Sequence, residues 1–146
     1  MTGDIVQLRD FTFPSGLDWS LATITCRVPD LAARLGVEVE FWEEDGLGTA
    51  RGFALGPSAS PLLVSEQLHS LDIHPLYATV ITIDGGEAAA MGHAALLDRA
   101  LAMLGLERDM VTWVPDDLAG WALRAAKLLA AGQARRAKAG LSEGQP

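Results

Sequence analysis

An alternating run that reverses on glycine sets the tightest limit on how this chain can fold. In Val37-Glu38-Val39-Glu40-Phe41-Trp42-Glu43-Glu44, apolar residues at 37, 39 and 41 alternate with Glu38 and Glu40, which is the period of a half-buried strand. Asp45-Gly46, with Gly48 two residues on, signals a reversal, and the run to Leu55 returns as a second strand. The pattern predicts a β-hairpin over residues 37–55. Its inner side holds Val37, Val39 and Phe41, and its outer side carries Glu38 and Glu40 beside Trp42. With Glu43, Glu44 and Asp45 in the turn region, the hairpin brings five carboxylates to one sheet.

The flanking segments extend that sheet and supply helices. Residues 4–13 suggest a short strand or extended arm, broken by Pro14-Ser15-Gly16. From Leu21 to Val28 the alternation predicts a strand with Ala22, Ile24, Cys26 and Val28 on one face. Pro29, Asp30, Arg34 and Gly36 then sit where a short helix wants its start, its first-turn acid, its last-turn base and its stop. Leu62–Leu68 reads as a third meander strand with helix as the alternative, and the β-rich run 76–83 ends at Asp84-Gly85-Gly86. Ala90, Ala94, Leu97, Leu101 and Leu104 form one stripe, predicting a single helix over 87–104 stopped by Gly105. Met110–Val114 predicts a short strand closed by Pro115, and Leu118, Trp121, Ala122, Ala125, Leu128 and Leu129 give the last helix its apolar face. The expected fold class is α+β. A single domain over residues 1–132 forms an antiparallel β-meander with two C-terminal helices packed on one face, and residues 133–146 form a basic, frayed tail.

Charge narrows the partners. The chain of 146 residues carries a net charge of -8, but unevenly. Residues 1–123 hold six Arg against eighteen Asp and Glu, a net of -12, while residues 124–146 hold five basic residues against Glu143, a net of +4. An acidic body repels phosphate backbones and complements a basic protein surface. Nucleic acid and membrane are therefore not expected as partners, a basic protein is, and a homodimer is the other assembly considered. With 49% hydrophobic and 21% charged residues, the chain can build a core without a staple. Cys26 is the only cysteine, so no internal disulfide forms and the cytoplasm is the simplest compartment. No signal-peptide pattern opens the sequence. The preference for Arg, Ala and Gly is bacterial-like and carries no mechanism.

Candidate chemistry centres on three histidines. His69, Asp72 and His74, near Glu66, are weak candidate metal ligands, because no single regular element would present all three and their spacing fits no standard zinc motif. His93, one helical step from Leu97, is either a general base in a pocket or a boundary histidine with a satisfied hydrogen bond. Asp84-Gly85-Gly86-Glu87 reads as a turn and helix cap, since it lacks the spacing of a phosphate loop. Cys26 falls on an apolar face, where a thiol is inert. No cofactor is expected. The sequence therefore favours a non-catalytic interaction module whose partner-binding residues are Glu38, Glu40, Trp42, Glu43, Glu44 and Asp45, antitoxin-like or chaperone-like in size and charge only. A small-molecule or metal-dependent enzyme using the histidines, and a self-assembling accessory protein, are the alternatives.

Overall fold

The structure is a computed structural model that describes residues 5–8, 11–44, 46, 48–57, 59–68 and 79–143. In chain order these form β1 (Ile5–Val6), β2 (Asp18–Ile24), α1 (Val28–Leu35), β3 (Glu40–Glu44), β4 (Gly48–Leu55), β5 (Leu62–Gln67), β6 (Thr79–Asp84), α2 (Gly85–Met91), α3 (His93–Leu104), β7 (Val111–Trp113) and α4 (Leu118–Glu143). The strands make one antiparallel sheet in the order β1-β4-β5-β6-β2-β7, and β3 also pairs with β4. β1 meets Ala54 and Leu55, while β3 meets residues 48–52, so the two share one edge of β4. The expected α+β single domain is observed. The meander β3 to β6 is real, but β2 closes on β6 from earlier in the chain, and three helices rather than two follow the meander.

Register explains where the core sits. Phe53 pairs with Val64, Leu55 with Leu62, and Leu62 and Val64 with Ile83 and Ile81, so these side chains share one face. They form a single buried cluster with Leu31 of α1, Leu96, Leu97 and Leu104 of α3, and Trp121 of α4. Burial of this kind contributes about 25 cal/mol per Å² of apolar surface, and it fixes the register because a one-residue slip would turn every such side chain outward. In β2 the register shifts between Ser20 and Ala22, and the bulge lets Leu21 and Ala22 both be buried.

Several boundaries differ from those expected. β2 ends at Ile24, so Cys26 lies past the strand and is half-buried; Pro29 and Gly36, the latter at φ 70, delimit α1 as anticipated. The helix expected over 87–104 is two helices, because Gly92 adopts φ 82 and ψ 162 and breaks the stripe. Ala90 and Ala94 are consequently exposed, whereas Leu97, Leu101 and Leu104 are buried. α4 continues past Gly132 as helix to Glu143. On it Trp121 and Ala125 are buried, but Leu118 and Leu128, expected on the packed face, are exposed.

Asp84 joins two distant parts of the chain. Its Oδ2 accepts the amides of Gly86 and Glu87 at 2.9 and 3.3 Å, capping α2. Its Oδ1 accepts the amide and the hydroxyl of Ser15 at 2.8 and 2.7 Å, tying the N-terminal arm to that corner. Among the described residues no helix is long and apolar enough to cross a membrane.

Candidate functional site: an acidic groove on the sheet

The candidate site lies on the sheet face turned away from the helices. Alternation from the core register puts Ala50, Gly52 and Ala54 of β4 and Leu63, Ser65 and Gln67 of β5 on that face. Pairing of Glu40 with Gly52, Trp42 with Ala50 and Glu44 with Gly48 places Glu40, Trp42 and Glu44 beside them. β4 presents only small residues here. A Cβ at Gly52 would run into the Val64 carbonyl oxygen, so β4 and β5 approach closely at this point. The result is a groove of about 540 Å³ lined by Asp18, Glu40, Trp42, Glu44, Ser65 and Thr82, with Leu8, Phe41 and Leu63.

Two of the three groove carboxylates, Glu40 and Glu44, are anchored. Glu44 Oε1 accepts Trp42 Nε1 at 2.9 Å and its Oε2 accepts Gln67 Nε2 at 2.6 Å. Glu40 Oε2 accepts the amide of Leu8 at 2.8 Å. Each of these bonds uses a neutral donor, so it holds the carboxylate in position without removing its charge. Among the described residues the lining holds no basic side chain and no histidine. It can bind positive charge, with an indole for its hydrocarbon stem.

The structure divides the sequence-predicted set. Glu40, Trp42 and Glu44 come together in the groove. Glu43 is on the opposite side of β3, where its Oε1 accepts Thr49 Oγ1 at 2.6 Å. Glu38 precedes β3 and, with Glu40, lines a separate crevice of about 290 Å³. Asp45 lies outside the described residues. Phe41, expected inward, is 61% exposed, because β3 is an edge strand that the core cluster does not reach. Asp18, Ser65 and Thr82 were not anticipated; the alternation Leu62, Val64 and Glu66 against Leu63, Ser65 and Gln67 was the available signal for Ser65.

His69, Asp72 and His74 lie outside the described residues. Among those described, no group of three His, Cys, Asp or Glu is placed to hold a metal ion. His93 is 7% exposed, with Nε2 at 2.9 Å from the Leu21 carbonyl oxygen and its ring edge-on to Trp121 at 5.2 Å. It keeps the satisfied hydrogen bond expected of a boundary histidine but is buried in the core, and it does not line the groove or the crevice above. Glu66 is a structural anion: Arg51 Nε and Arg27 Nε donate to it at 2.6 and 3.2 Å, and Thr79 Oγ1 at 3.3 Å. Burial pushes the Cys26 thiol above its ordinary range, with Arg34 pulling the other way, so the thiolate is disfavoured. Comparison with protein-family models, curated proteins and solved structures finds no match for this chain.

Proposed function

We propose that the chain is a non-catalytic protein-interaction module that takes a basic segment of a partner protein into the groove of Asp18, Glu40 and Glu44. The observation that carries this reading is the convergence of three carboxylates and Trp42 on one sheet face with no basic side chain among the lining residues described. A lysine or arginine stem lies against an indole while its charged end meets a carboxylate. Carboxylates held before binding lose little freedom when the partner arrives. The cytoplasm is the proposed compartment.

The test compares Glu40→Lys with Glu44→Lys, as a double variant, against Glu43→Lys on the opposite side of the same strand. Affinity for a partner recovered from lysate, and for a lysine-rich peptide, falls in the double variant and weakens with salt. Glu43→Lys leaves it nearly unchanged. Equal loss in both variants would show that only net charge matters, and unchanged capture by the double variant would remove the groove from the interaction. A second copy as occupant would appear as a concentration-dependent mass in light scattering.

A further inference from the structure

Three of the chain's four tryptophans surround a second cleft. Trp19 of β2, Trp113 of β7 and Trp121 of α4 line about 540 Å³ together with Asp18, Asp116, Asp117 and Arg124. Trp121 is held firmly: it is buried, its Nε1 donates to the Ser20 carbonyl at 3.3 Å, and its ring sits 6.2 Å from that of Trp19. Trp113 is on an edge strand and exposed. The charges around these rings do not cancel. Asp117 caps the start of α4 by accepting the Gly120 amide at 2.9 Å, and its other oxygen takes Arg124 at 3.3 Å. That pairing answers the helix end and the one cation among the described lining residues, and it leaves Asp18 and Asp116 as the surplus charge. Trp19 Nε1 is buried without a hydrogen-bond partner among the described residues.

We propose that this cleft binds a small soluble quaternary ammonium compound, for which choline is the probe. Indole faces attract cations most strongly when the cation is weakly hydrated, as an alkylated ammonium is. Such a cation donates no strong hydrogen bond, so it needs aromatic surface and a negative field rather than close acceptors, and the wall offers the exposed Trp113 and the half-buried Trp19 beside Asp18 and Asp116. The cleft volume is within the range of small-molecule sites.

The experiment is a choline titration followed on the four indole N–H resonances, repeated with dimethylbutanol, the uncharged isostere. Choline shifts the signals of Trp19, Trp113 and Trp121 saturably and leaves that of Trp42 in place, and the isostere binds about tenfold more weakly or worse. Trp113→Ala weakens choline by about tenfold, Trp113→Phe retains most of the affinity, and Asp116→Asn costs a few-fold, all with an unchanged thermal midpoint. Equal binding of choline and the isostere overturns the proposal, as does the absence of saturation at millimolar choline. A shift confined to Trp42 moves the cation to the acidic groove and overturns this site. Phosphatidylcholine vesicles that act where free choline does not overturn the choice of a soluble ligand.

Discussion

Replacing Arg51 by Met asks whether Glu66 is held in the core by its ion pairs, and the geometry sets the size of the answer. The Glu66 side chain is fully buried, while Arg51 is 19% and Arg27 39% exposed. Removing Arg51 takes away the shorter contact, 2.6 Å against 3.2 Å, and leaves a buried carboxylate facing one more distant, wetter cation. Breaking a buried pair costs about 3–5 kcal/mol; the remaining Arg27 and Thr79 donors set the expectation near the low end, about 3 kcal/mol. In a domain of this size that lowers the melting temperature by roughly 10 °C. Arg27→Met, at a site more than a third exposed, costs at most about 1 kcal/mol. Arg51→Met combined with Glu66→Leu recovers most of the loss, because no buried charge remains and Arg27 can turn to solvent. Thermal and urea unfolding followed by circular dichroism measure all three variants. Equal costs for the two arginine variants, or no recovery in the double variant, would refute the reasoning.

Gly92→Ala destabilises by about 1–3 kcal/mol, since φ 82 with ψ 162 is open in practice only to glycine; a urea midpoint matching that of the parent chain would show that the break between α2 and α3 does not depend on it. His93→Leu strands the Leu21 carbonyl and costs about 2 kcal/mol, and an unchanged midpoint would contradict the anchoring role. Cys26 gives a pH dependence. The native state holds the thiol proton more tightly than the unfolded chain, so this stabilisation is complete below the ordinary thiol range and is lost as pH rises through about 8.5 and beyond. Cys26→Ala should flatten that part of the stability profile, and alkylation of the native thiol should lag behind that of a free cysteine; fast alkylation at neutral pH would count against burial as the cause.

The hairpin was legible because its information is local: alternation fixes which residues share a side, and Asp45-Gly46 fixes the turn. Glu40 and Trp42 were rightly placed on a common side. What alternation does not say is which side meets the core, and Phe41 shows the cost, since a strand at the sheet edge leaves an inward-parity aromatic in water. Gly92 was hidden for a different reason. A 3.6-residue stripe runs through it without interruption, and only the observed backbone angles show the break. The place of β2 beside β6 depends on contacts between segments some sixty residues apart, which no periodicity records. The groove inherits that limit, because Asp18 enters it only through this pairing. Trp19, Trp113 and Trp121 likewise lie on three elements whose meeting no local pattern announces.

Asp84 makes the N-terminal arm a reporter on the other end of the sheet. Because one carboxylate serves Ser15 through Oδ1 and the α2 cap through Oδ2, opening the first turn of α2 lets the carboxylate rotate and releases the arm in the same event. The amide protons of Ser15 and Gly86, 71 positions apart in the chain, should then exchange with solvent through a shared opening and with the same free energy. Asp84→Ala should accelerate exchange at both while leaving protection in the β4–β5 pairing intact. The corner thus acts as a thermodynamic latch, coupling the fate of two segments that the Asp84 carboxylate joins and that the Gly85 amide also ties by donating to the Leu17 carbonyl at 2.7 Å.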